Sequence, residues 1–135
     1  MTLTVCWSAK GGSGTTVVAA ALALCSSADS LLIDLDGELP AALGLPEPSG
    51  QGLSDWFASD APAGAVVDLA IDVAPSTRLV PRGPETIPRD SDRWPVLCSF
   101  LAGSALDSIV DAGCGEPPEA FRIDEARGLL VTRPC

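Results

Sequence analysis

At 135 residues the chain has the length of one domain and can bury about two-thirds of the surface that its unfolded form exposes. Eight basic residues against 18 acidic ones give a net charge of -10 and a pI near 4.1, which excludes a basic footprint for direct nucleic-acid binding and a polybasic membrane patch. There is no histidine, so imidazole catalysis and histidine-ligated metals are excluded as well. The five cysteines, Cys6, Cys25, Cys98, Cys114 and Cys135, lack the paired spacing of a zinc site or disulfide framework and read as reduced thiols of a cytoplasmic protein.

The chain opens on an apolar run, Leu3 to Ser8, with the character of a buried strand. No basic segment precedes it as in a signal peptide, and no apolar run reaches the length of a transmembrane segment. It leads into Ser8-Ala9-Lys10-Gly11-Gly12-Ser13-Gly14-Thr15-Thr16, where three glycines let successive N–H groups turn inward. The helix that follows, Thr16 to Ser27, adds the partial positive charge of its N-terminus, so the loop suits an anion such as a nucleotide phosphate. That helix is apolar almost all round, as expected of one packed between a sheet and another layer, which a partner subunit could supply.

A second strand, Ser30 to Leu35, carries Asp34 near its end, with Asp36 two residues on. In an open α/β sheet the carboxyl ends of strands gather at the ligand site, and alternate strand residues share a face, so both carboxylates are expected beside the phosphate loop. Leu39 to Leu45 and Gly52 to Ala58 read as short helices, the second with Trp56 and Phe57 as packing anchors. Thr77 to Val80 is a strand, Pro81 to Asp92 a proline-rich surface loop, and Arg93 to Ala102 a helix. Strands at Asp107 to Val110, ending in Asp111-Ala112-Gly113-Cys114-Gly115, and at Gly128 to Thr132 complete a single α/β domain, residues 1–135, with a mostly parallel sheet buried on both faces.

The usual phosphate loop ends Gly-Lys-Ser/Thr, whereas here Gly14 is followed by Thr15 and Thr16, and the only lysine, Lys10, lies five residues before the lysine slot. This arrangement resembles the deviant Walker A loop of the MinD/ParA family of nucleotide-switched ATPases, in which the early lysine is the signature residue. With threonine at the later slot, the Lys10-Gly11-Gly12-x-Gly14 core is most similar to the atypical CpaE and TadZ members, which help to localise pili. The Asp34-x-Asp36 strand resembles the family's Walker A′ segment, Leu39-Pro40-Ala41-Ala42-Leu43-Gly44-Leu45 continues that likeness, and Asp107 to Gly115 resembles Walker B. The resemblance implies a three-layer P-loop NTPase-type fold, ATP and Mg2+ as ligands, a nucleotide-dependent homodimer and a protein partner in a positioning system. It implies that residues 10–16 (Lys10, Gly11, Gly12, Ser13, Gly14, Thr15, Thr16) cradle the phosphates and that Asp36 positions the attacking water. Asp34 would support the metal shell, Thr16 and Asp111 would hold Mg2+, and a second subunit's Lys10 would supply catalytic charge.

Several readings stand beside this one. The glycine loop can be a plain strand-to-helix turn, and each aspartate an ordinary cap or turn former. A dinucleotide-binding loop is disfavoured because Val17 occupies the place of its third glycine. Arg82 and Arg133, each following a strand, fit phosphate, base, partner or plain solvent, and Cys114, with no histidine to activate it, reads as structural. Without the slot lysine, hydrolysis is expected to be weak or absent. The alternative function is a scaffold or localisation module that no longer binds nucleotide and acts through its apolar helix or the loop at Trp94. Family domains continue for several further elements, so the expectation is a truncated or reduced domain without the base-binding half, in which ATP and GTP are not told apart.

Overall fold

The computed structural model describes residues 2–11 and 14–132. Six strands form one sheet in the order β3-β4-β2-β5-β1-β6: β1 Leu3–Ser8, β2 Ser30–Asp34, β3 Ile71–Ala74, β4 Thr77–Val80, β5 Asp107–Cys114 and β6 Ala126–Leu130. All neighbours run parallel except β3, which turns back antiparallel on β4. Four helices cover the sheet: α1 Thr15–Leu24, α2 Leu39–Ala42, α3 Leu53–Phe57 and α4 Trp94–Ala102.

Strand alternation divides the core in two. Val5, Ile33, Val80 and Val110 point to one face, where α3, α4 and two 3-10 segments, Ala63–Leu69 and Glu119–Phe121, cover them. Cys6, Leu32, Leu79 and Ile109 point to the other, where the small side chains Ala19, Ala20 and Ala23 let α1 lie close, with Leu39 of α2 beside them. The result is a three-layer α/β sandwich around a mostly parallel sheet. The first face is sealed by an aromatic row in which Trp56, Phe57, Trp94 and Phe121 meet at centroid distances of 5.1, 4.4 and 5.9 Å, with the Arg93 guanidinium 3.8 Å above Trp56. Trp94 is buried here and donates its indole N–H to Pro88, so it offers no exposed loop to a partner.

The differences from the sequence-based expectation have local causes. The first helix ends at Leu24 instead of Ser27 because the Ser26 hydroxyl accepts the Ala28 amide (3.2 Å) and donates to Asp107 (3.0 Å), a side-chain turn that competes with helix. Its outer side is bare: Val17 is 66% and Leu24 47% exposed, so among the described residues no further layer lies on it. The last strand begins at Ala126, two residues early, because it pairs in register with β1 from Leu3↔Ala126 to Trp7↔Leu130. β3 lies in an apolar stretch, Leu69 to Ala74, that Asp72 interrupts, and the sequence-based expectation assigned it no strand. It exists because Ile71 and Asp72 pair with Leu79 and Arg78 across a short turn.

Among the described residues no helix is long and apolar enough to cross a membrane. The four cysteines among them are unpaired, with Cys6 and Cys98 buried and Cys25 and Cys114 exposed.

Candidate phosphate-loop site

β1 lies between β5 and the edge strand β6, and its loop leaves the sheet beside the end of β5. The Gly115 amide donates to the Ser8 carbonyl (2.7 Å), and the Ser8 hydroxyl donates to the carbonyl of Lys10 (2.9 Å), which bends the loop back over its own strand. Lys10 and Gly11 are exposed. Gly14, in the left-handed conformation (φ 84°), opens α1, and its carbonyl accepts the Val18 amide at 3.0 Å. The expectations for Gly12, Ser13 and Arg133 fall outside the described residues.

Thr15, at the lysine slot, is the first helical residue; it is 6% exposed and its hydroxyl has no hydrogen-bond partner. The next residue, Thr16, donates its hydroxyl to the Asp111 carboxylate. Asp111 lies in β5 opposite both Cys6 of β1 and Asp34 of β2, so the three side chains share the α1 side of the sheet. Burial pushes Asp111 above the usual carboxylate range; the Thr16 hydroxyl and the Gly113 amide oppose this, and the charges of Asp36 and Glu38 reinforce it. Burial, helped by the Asp111 charge, likewise raises the Cys6 thiol to about 11.

β5 continues past Asp111 by means of a bulge, since Cys6↔Asp111 is followed by Ser8↔Cys114. Gly113 takes φ 70° there and returns its amide to Asp111 Oδ1 at 3.0 Å. A Cβ on Gly113 would stand 2.5 Å from Asp36 Cγ, so glycine is needed both for the backbone angle and for the approach of Asp36.

The two acidic residues of the second strand part company. β2 stops at Asp34, which is fully buried, accepts the amides of Gly37 (2.8 Å) and Asp36 (3.2 Å) on Oδ1, and leaves Oδ2 without a partner. Burial raises its pKa from 3.8 to about 6, the Gly37 amide pulling down and the Asp111 charge pushing further up. Asp36 lies beyond the strand, exposed in the turn, so the two carboxylates do not share one strand face as the alternation had implied.

Between the loop, this turn and the β5 bulge lies a cleft of about 550 Å3, within the size range of small-ligand sites. Ser8, Gly11, Gly14, Thr15, Thr16 and Asp36 line it, together with Val17, Glu38, Ala41, Ala42, Gly113 and Cys114. The structure therefore brings the loop, Thr16 and Asp36 to one cavity, with Asp111 behind Thr16. Asp34 instead walls a neighbouring cavity of about 190 Å3 that it shares with Arg82. Cys114, read as structural from the sequence, is an exposed wall residue. Ser8 and Glu38 were passed over; the signal for Ser8 was its place at the carboxyl end of the strand feeding the loop.

Among the described residues no three carboxylates or thiols gather closely enough to hold a metal ion by themselves. The donor set here, a hydroxyl on a carboxylate whose second oxygen is buried and unpartnered, fits Mg2+ only if phosphate oxygens and water supply its other ligands, as Mg2+ prefers.

This three-layer architecture, a mostly parallel sheet whose first helix is entered from β1 through a glycine-containing loop, matches the fold of solved MinD/ParA-type ATPases. Three solved structures carry this likeness. It superposes on MinD, the septum site-determining protein of Pyrococcus horikoshii OT3 complexed with Mg-ADP, with a TM-score of 0.74 at 22% identity, over 99% of this chain and 59% of that one. The ParA family ATPase from Chlorobium tepidum TLS gives 0.64 at 24% identity, over 84% and 52%. A variant of Cyanothece McdA in complex with ATP gives 0.59 at 21% identity, over 88% and 51%. At these identities the likeness is one of fold, and the chain spans about half to three-fifths of the length of these structures. No protein-family model matches the sequence, and no curated protein matches it.

Proposed function

We propose that the chain binds ATP with Mg2+ in the 550 Å3 cleft and serves as a MinD/ParA-like switch in a spatial positioning system, dimerising on nucleotide and hydrolysing it weakly or not at all. The observation that carries this reading is the Thr16–Asp111 hydrogen bond at the mouth of a glycine loop, with the Asp111 Oδ2 left unpartnered in a buried place. That pair is what a hydrated Mg2+ on a phosphate chain needs. Support of a second kind comes from the fold neighbours, one described with Mg-ADP and another with ATP.

In this reading residues 10–16 cradle the phosphates, Thr16 and Asp111 hold the ion, and Asp36, exposed in the cleft wall, orients water. Magnesium would neutralise phosphate charge. Thr15 can donate a hydrogen bond but carries no charge. Losing a charged contact to phosphate costs about 1.5–3 kcal/mol, which loop amides and the ion can offset, so binding survives. Charge stabilisation in the transition state is worth about 10³–10⁵ in rate, so turnover needs Lys10 from a second subunit. The second reading, a scaffold that has lost nucleotide binding and keeps a protein-partner surface, is favoured by the threonine in the lysine slot.

Titration with Mg-ATP and with Mg-ADP, following melting temperature and sedimentation together, tests the proposal. ATP should stabilise the chain and promote a dimer, and Lys10→Ala should abolish both effects. No shift with either nucleotide would refute it and favour the scaffold.

A further inference from the structure

We infer that Arg82 is a positioning residue that holds the Asp36–Gly37 turn, and with it the Asp36 carboxylate, against the phosphate-loop cleft; this rests on the nucleotide-binding reading above. Arg82 lies two residues past β4, part-buried, with its backbone fixed from behind. The carbonyls of Pro81 and Arg82 accept the amides of Leu53 (2.8 Å) and Ser54 (2.7 Å), the first residues of α3. Its guanidinium reaches forward over the turn. Nη1 donates to the Asp36 carbonyl at 3.3 Å, and Nε donates to its neighbour Gly83 at 3.4 Å. The side chain presses so near the turn that a Cβ on Gly37, itself at φ 90°, would stand 2.9 Å from Cζ.

The turn is thus clamped. Its amides are held from below by Asp34, its carboxylate lies on Gly113, and Arg82 closes the remaining side. Among the described residues Arg82 makes no ion pair, so the contact with Asp36 is not the by-product of a salt bridge aimed elsewhere. Because the anchor of Arg82 is the α3 side of the core, a rigid element on one sheet face sets the position of a carboxylate that works on the other. Without this brace the exposed Asp36 would depend on the Asp34 hydrogen bonds and the Gly113 contact, and its carboxylate would sample positions away from the water around a nucleotide-bound Mg2+, the contact through which it would add to the gain in affinity that Mg2+ provides.

The test is a double-mutant cycle read as the gain in ATP affinity that Mg2+ provides. Arg82→Met keeps the apolar stem and removes the donors; it should lower the magnesium gain by about three- to tenfold, as should Asp36→Asn, and the double variant should fall no further than Asp36→Asn alone. Arg82→Lys, with one point donor for a fork, should recover only part of the loss. Additive losses, or an unchanged gain in Arg82→Met, would overturn the inference. Amide exchange over Asp36–Gly37 in the nucleotide-free chain gives the second readout, and it should speed up in Arg82→Met while melting temperature moves little. If the wild type binds no nucleotide, the binding reading fails and exchange alone decides, an unchanged rate showing that Arg82 holds nothing.

Discussion

Replacing Asp34 by asparagine should make the nucleotide-free protein more stable at neutral pH, against the usual expectation for a change in a buried polar residue. The carboxyl is fully buried beside Asp111 and its pKa is raised from 3.8 to about 6. Between those two values the folded chain keeps a proton that the unfolded chain has released. Stability therefore falls as pH rises through that window and stays at the lower level above it. A gap of roughly two units at about 1.4 kcal/mol each puts the loss near 3 kcal/mol at neutral pH. Asparagine retains an oxygen for the amides of Asp36 and Gly37 and removes the charge, but places an NH2 where Oδ2 had no partner, which returns about 1–2 kcal/mol of the gain. The net expectation is a stabilisation of about 1–2 kcal/mol at neutral pH, with a shallower fall in stability between about pH 4 and 6. Urea unfolding followed by the fluorescence of buried Trp56 and Trp94 measures both quantities. A variant less stable than wild type at neutral pH, or a wild type whose stability is level across the window, would refute the argument.

Thr15→Lys should raise ATP affinity by about tenfold to a hundredfold, the worth of a charged contact to phosphate, and a sharp rise in turnover with it would mean that the rest of the site is intact; isothermal titration and a phosphate-release assay report the two effects. Thr16→Ala should leave ATP affinity without Mg2+ nearly unchanged and remove most of the gain that Mg2+ brings, since it deletes the hydroxyl on Asp111 without touching the loop amides. Bound nucleotide should shield Cys114 from a maleimide while Cys25, also exposed, keeps reacting; Cys6 and Cys98, buried and raised to about 11 and 12, should stay unlabelled in both conditions, as peptide mass spectrometry would show.

The parts of this fold that were legible in the sequence are those set by local chemistry. β1 and β4 run from Leu3 to Ser8 and from Thr77 to Val80, as their apolar residues and flanking punctuation indicate. The glycine loop and Asp36, singled out along the sequence, include residues that line the candidate cleft. What the residues did not disclose is what only pairing decides: the start of β6 at Ala126, the existence of β3, and the bulge that carries β5 on to Cys114. The separate fates of Asp34 and Asp36 belong to the same class. Nothing local distinguishes the two carboxylates, and the buried one is defined only once β2 is found to end beside Asp111. Arg82 was visible as a charge after a strand, but its partner, a backbone carbonyl 46 positions away, leaves no mark on the sequence.

The distribution of unmet hydrogen-bonding capacity bears on whether the lysine-less loop is a relic. Six buried side-chain atoms among the described residues have no partner, and three of them, Thr15 Oγ1, Asp34 Oδ2 and Asp111 Oδ2, lie at the carboxyl ends of β1, β2 and β5 or the helix start beside them. Each such atom costs about 1–3 kcal/mol in an empty protein. An apolar residue of similar shape at any of the three places would remove that cost, as Leu32 and Ile109 do further down the same sheet face. Thr15 lines the 550 Å3 cleft, Asp111 lies behind Thr16 and Asp34 walls the neighbouring cavity, so the unpartnered oxygens gather at one end of the sheet, which a fold serving only as a scaffold would not require. On the proposed reading, oxygens that meet a ligand's metal ion or water recover the cost on binding, so the instability of the empty site and the proposed affinity for a nucleotide would have the same origin.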